Sequence, residues 1–101
     1  MINRTLYTGL IRLHLLHHAV EGPLFGQEMI DELSRHGYRL SAGTLYPILH
    51  GMERQGYLSS QVTLTAGRNR RIYRATRAGH KVLVEARKRV KELFGEMFEK
   101  D

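Results

Sequence analysis

The sequence contains no cysteine and no tryptophan, and only two prolines. Without cysteine there is no disulfide framework, no thiolate metal site, no iron–sulfur cluster and no cysteine nucleophile. No apolar run approaches the roughly 20 residues needed to span a bilayer. Arg4, Arg12 and three histidines interrupt the stretch from Met1 to Val20, which therefore does not read as a secretory signal. A cytoplasmic protein is expected. Catalytic signatures are missing too: there is no phosphate-binding glycine loop, no H-E-x-x-H and no G-x-S-x-G, so an enzyme is not expected. No repeat, linker or low-complexity tract divides the chain.

What is present is a single domain's length, 101 residues, with 42% hydrophobic and 26% charged side chains. So short a chain buries a modest fraction of its surface, and a partner subunit would add to a thin stability margin. Sixteen Lys+Arg against ten Asp+Glu give a net charge of +6, which favours polyanionic partners. The charge is uneven. Residues 68–91 hold ten basic side chains and one acid, Glu85, whereas residues 1–40 hold four. Arg68, Arg70 and Arg71 flank Gly67 and Asn69, both turn formers, which predicts a basic loop tip able to reach phosphates or a narrow minor groove.

The hydrophobic pattern predicts helix, helix, helix, hairpin, long helix. Residues 5–20 carry Leu6, Leu10, Leu13 and Leu16 at helical spacing, with Ile11, Leu15 and Val20 beside them, until Glu21-Gly22-Pro23 ends the run. Gly26, Met29, Ile30 and Leu33 repeat the spacing before His36-Gly37. Ser41 reads as the side-chain N-cap of a third helix that buries Leu45, Ile48, Leu49 and Met52 and stops at Gly56. Pro47 inside it removes the bond to the Gly43 carbonyl and should loosen the first turn. Residues 57–63 and 71–76 read as strands joined by a long tip, 65–70. Thr76 caps a last helix running to about residue 98, with Leu83, Ala86, Val90, Leu93 and Met97 on a heptad-like seam widened by Val82, Phe94 and Phe98. A fold of this size has too little surface to cover such a helix, which predicts pairing with a second copy.

This order of elements predicts an α+β, mostly α, winged helix-turn-helix. Residues 1–76 are expected to form the DNA-binding unit and residues 77–101 a dimerisation helix, compact with it. With its apolar face on the core, the third helix turns Gly43, Tyr46, Pro47, His50 and Arg54 outward. A helix fits the major groove. Ser41, Gly43 and Thr44 permit close approach there, and free backbone NH groups point at phosphates. The wing residues Arg68, Asn69, Arg70, Arg71 and Tyr73 would grip the flanking strand.

Ser41-Ala42-Gly43-Thr44-Leu45-Tyr46-Pro47-Ile48-Leu49 resembles the S-x-G-T-L-Y-P-x-L segment of the PadR family of bacterial transcriptional regulators. Glu53-Arg54-Gln55-Gly56-Tyr57-Leu58 is similar to that family's E-x-x-G-hydrophobic pair, and the stretch from Gly67 to Gly79 to its wing. The likeness spans roughly residues 10–98 and fits the short subclass with one C-terminal helix. It implies a homodimer joined through the last helix and the first, Leu6 and Leu10 meeting Leu83, Ala86, Val90, Leu93, Phe94 and Met97. It also implies double-stranded DNA as partner and a repressor released by a ligand or other signal. Departures are Phe25-Gly26-Gln27 for the usual Gly-Tyr, Gly51 for a longer, often basic residue, and Asn69 for the wing proline. Lacking tryptophan, the chain cannot copy the Trp-lined drug pocket of some relatives.

Two further readings stand beside this one. His14, His17 and His18 share a face of the first helix and could hold a metal or sense pH, but no carboxylate in the pattern completes a zinc set; no cofactor is expected. A small-molecule effector is expected near the subunit junction. The alternative function is a winged helix for protein or RNA contact, without operator specificity.

Overall fold

The computed structural model describes residues 4–99, ordered as α1 (Arg4–Glu21), β1 (Leu24–Phe25), α2 (Gly26–Arg35), α3 (Ala42–Arg54), β2 (Leu58–Thr65), β3 (Arg68–Ala75) and α4 (Arg77–Phe98). The four helices lie where the apolar periodicity places them. The sheet is larger than the hairpin the pattern predicts. The two-residue β1 adds a third antiparallel strand in the order β1-β3-β2, pairing Leu24 with Tyr73 and Phe25 with Ile72. The result is the mostly helical winged helix the sequence predicts.

The core takes Ile11, Leu15, Leu16 and Ala19 from α1, Met29 and Leu33 from α2, and Leu45, Leu49 and Met52 from α3. Leu58, Tyr73 and Leu83 close it. The leucine ladder of α1 therefore divides. Leu16 is buried and Leu13 half-buried, while Leu6 and Leu10 are exposed. Tyr73 is not on the wing surface, where its neighbours in sequence would place it, but fully inside the core. The reason is topological: β3 is the central strand, and Tyr73 sits between Leu24 and Ser60 with its ring on the covered face.

The wing differs from the expected long loop. β2 and β3 pair without interruption from Leu58↔Ala75 to Thr65↔Arg68, so the turn is only Ala66-Gly67. Both residues have positive φ, 51° and 76°, as a type I′ turn requires. Arg68, Asn69, Arg70 and Arg71 consequently stand on a strand, where the ladder fixes their directions, rather than on a mobile tip.

Ser41 is also not the side-chain cap expected. Its hydroxyl donates to Thr44 Oγ1 at 3.4 Å, while its carbonyl accepts from the backbone N–H of Leu45 at 2.9 Å. Thr76 does cap: Oγ1 accepts from the N–H of Gly79 at 3.0 Å and donates to the Gly56 carbonyl. Gly79 is needed there, since a Cβ would run into the Tyr57 carbonyl. Past Leu83, α4 leaves the core and gives the molecule its 56 Å long axis. Its distal apolar side chains are exposed in the single chain: Leu93 49%, Phe94 50%, Met97 62%. Among the described residues no helix is long and apolar enough to cross a membrane.

Ala66 bears a Cβ in a left-handed conformation, which costs about 1–2 kcal/mol. Asparagine tolerates that region and leads type I′ turns. Ala66→Asn is expected to stabilise the chain by up to about 1 kcal/mol, read as a higher midpoint in urea at unchanged slope.

Candidate nucleic-acid interface

Burial of Leu45, Leu49 and Met52 fixes the roll of α3, and the residues left outside are Gly43, Pro47, His50 and Arg54 along one stripe, with Ser41 and Ala42 at its start. The Arg54 guanidinium reaches back beside Gly51, close enough that a side chain there would touch it. Tyr46 and Thr44 lie at the flank, half-buried. Tyr46 is thus less free than a fully outward residue. Its ring crosses Gly26, the first residue of α2, so closely that a Cβ on Gly26 would overlap it. The Tyr46 and His50 rings are 6.3 Å apart.

The wing arginines do not act alike. Arg70 stacks its guanidinium on the Phe25 ring, 3.9 Å from the centroid, and faces Glu28 at 3.6 Å. Arg71 donates to Ser60 Oγ at 3.0 Å, and Ser60 donates to the Glu53 carboxylate at 2.9 Å, a chain that ties the end of α3 to the wing. Arg68 and Asn69 stay exposed beside the turn. Between wing and helices lies a cleft of about 510 Å³, with Tyr46, Gln27, Arg68, Asn69, Arg70 and Arg71 on its walls. Its chemistry is polar and cationic, and its described lining residues offer no paired acid and base that could run a reaction. Tyr73, beneath this surface, has its phenol pKa raised by burial.

The profile of the transcriptional regulator PadR-like family matches residues 15–85. The chain belongs to that family. It is 51% identical over 87 residues to Transcriptional regulator Rv3488 of Mycobacterium tuberculosis (strain ATCC 25618 / H37Rv), covering 86% of this chain and 81% of that protein. Among solved structures it is similar to a PadR family transcriptional regulator from Eggerthella lenta DSM 2243 (TM-score 0.78, 30% identity, 96% of this chain and 88% of that one). A similar match is smu.1704 from Streptococcus mutans UA159 (TM-score 0.77, 29% identity, 85% and 80%). PadR-like proteins are transcriptional regulators, not enzymes.

In this PadR-like chain the sequence does not disclose Phe25, Gln27 and Gly26 as parts of the cleft. They arrive through β1 pairing with β3, a long-range contact that leaves no local pattern. The one signal is their departure from the family's usual residues at the start of α2. The expected histidine trio also divides. His17 is exposed and faces Glu21 at 3.6 Å, whereas His14 stacks on His36 with centroids 4.8 Å apart. Burial, then the neighbouring His36, lowers the His14 pKa below its ordinary value.

The Gly26–Tyr46 contact generates a test. Gly26→Ala must displace the Tyr46 ring and is expected to cost about 1–3 kcal/mol. In a Tyr46→Ala background most of that cost should vanish, which a double-mutant cycle by urea unfolding reads directly.

Proposed function

We propose that this PadR-like regulator binds double-stranded DNA sequence-specifically as a homodimer, acting as a repressor that a ligand or other signal releases from an inverted-repeat operator. The observation that carries the reading is the exposed stripe of α3 on the same chain as an arginine-bearing hairpin, whose cleft against the helices takes in Tyr46 at the flank of that stripe. The major groove is about 12 Å wide and admits such a helix. Ser41, Gly43 and Thr44 bring the start of α3 close; the Thr44 N–H is taken by the Ser41 carbonyl at 3.1 Å, and with no side-chain cap at Ser41 the N–H groups of Ala42 and Gly43 are the ones that would meet a phosphate. Tyr46, Pro47, His50 and Arg54 continue the reading surface. Arg68 and Asn69 reach the flanking backbone, while Arg70 and Arg71 brace the wing and add to its field.

The dimer is argued from α4. Val90, Leu93, Phe94 and Met97 are exposed in one chain, and each large side chain withdrawn from water contributes about 1.5–3 kcal/mol when fully buried. Leu10 of α1 lines a groove with Val90 and Phe94, and Leu6, one turn before it, is also exposed. Leu83 and Ala86 begin the seam but already pack partly or wholly within their own chain. Between α1 and α4 runs a groove of about 830 Å³ containing Leu10, Leu13, Val90 and Phe94. It is the place for a small apolar effector whose binding would alter the spacing of the two reading helices. A regulator of this kind works in the cytoplasm.

Selection from random duplexes should yield pseudo-palindromes with half-sites about 34–36 Å apart. Tyr46→Ala should lose about 1–3 kcal/mol of specific affinity. Arg68→Ala should weaken all duplexes alike and flatten the plot of log K against log salt by about one unit. Equal affinity for double-stranded RNA, or binding indifferent to salt, would favour the RNA- or protein-contact alternative. Phe94→Asp, which leaves the single chain's core untouched, is expected to yield monomers in sedimentation equilibrium and to abolish operator binding.

A further inference from the structure

His14 and His18 are one helical turn apart on α1, and the fold carries the C-terminal end of α2 against them. One nitrogen from each of His14, His18 and His36 lies within 4.8 Å of the other two. A carboxylate completes the group: Glu32 Oε2 is 2.9 Å from His36 Nε2 and 3.8 Å from His18 Nε2. This is the acid that the α1 sequence could not supply, because it comes from another helix. The other carboxylate oxygen, Oε1, accepts from Arg35 Nη1 at 2.8 Å, which aims Oε2 at the imidazoles.

We propose that His14, His18, His36 and Glu32 form a binding site for one divalent transition-metal ion of the zinc type. Three imidazoles and a carboxylate are a donor set for zinc, cobalt or nickel rather than for magnesium or calcium, which take oxygen ligands. Zinc binds nitrogen at about 2.0–2.1 Å, so tetrahedral nitrogens are about 3.4 Å apart. The side chains need to draw in by about an ångström, which rotation at solvent-reaching positions allows. The metal would replace the hydrogen bond between Glu32 and His36 with bonds to both. Arg35 holds the carboxylate from behind, the arrangement by which an outer group orients a ligand. The ion would clasp α1 to the end of α2, away from the recognition stripe and the wing, so the site does not depend on the DNA-binding reading.

The test is a titration of tag-free, chelator-stripped, full-length protein with Co²⁺, read by visible absorption. One equivalent per chain should give the intense bands of tetrahedral cobalt, and Zn²⁺ should bleach them. His36→Ala and Glu32→Gln should each weaken cobalt binding by at least tenfold, Arg35→Ala by about tenfold, and His17→Ala should leave it unchanged. Thermal melts establish that each variant is folded, and two independent ligand variants guard against one that is not. Absence of tetrahedral bands in the wild-type protein overturns the proposal, as does full binding by both His36→Ala and Glu32→Gln. Loss of binding in His17→Ala would assign the metal to a different set and overturn it equally.

Discussion

Everything on the proposed recognition surface depends on how α3 is seated. Leu45, Leu49 and Met52 are buried against α1, α2 and the base of the sheet, and they define the angle at which the helix faces outward. A helix turns 100° per residue, so a slip of one position would bring a leucine to the surface and put His50 and Glu53 inside. Removing one of these large side chains costs about 2–5 kcal/mol. Set against the roughly 5–15 kcal/mol typical of whole domains, that penalty makes the seating stiff. The opposite end of the arrangement is equally constrained. The Glu53–Ser60–Arg71 chain of hydrogen bonds joins the end of α3 to the hairpin and helps set their relative geometry.

Local rules of helix construction are relaxed at the start of α3. Ser41 spends its hydroxyl on Thr44 rather than on the backbone, Pro47 removes a helical bond, and Gly43 adds no side chain. None of these helps the helix form alone. Together they produce a helix end with little side chain and no side-chain cap, next to a tyrosine wedged over a glycine. Departures from local consistency concentrate where function asks for something other than stability. The proximal part of α4 is the contrast, with Thr76 capping well and Gly79 packed on the Tyr57 carbonyl.

Legibility in the sequence tracks the range of the interactions. The helices can be read because their apolar spacing is written within a few residues, and so can the α3 stripe. The wing hairpin is legible but its extent is not, because Ala66-Gly67 lacks the Asn-Gly signature and a row of arginines looks like loop; pairing with β2 decides otherwise. Tyr73 is hidden for the same reason. Alternation gives a strand two faces but does not say that β1 will arrive to make it the central one. Of the histidine cluster only the residues on α1 are legible. His36 and Glu32 join it through packing of α2 on α1, which one sequence does not encode locally.

α1 is the element that these features share. Its buried face carries the core, its exposed leucines border the α1–α4 groove, and its histidines meet α2. A rod packed on so many neighbours transmits displacement as a rigid body rather than by bending. In the proposed dimer, an effector in the groove would change DNA affinity only by the difference between its affinities for the two dimer spacings. A hundredfold release of DNA therefore demands a differential of about 2.7 kcal/mol, the equivalent of one large apolar side chain buried in one spacing and exposed in the other. Leu10, Leu13, Val90 and Phe94 all line that groove, so under the proposed reading the differential would come from apolar contacts there, without any contact to the α3 stripe.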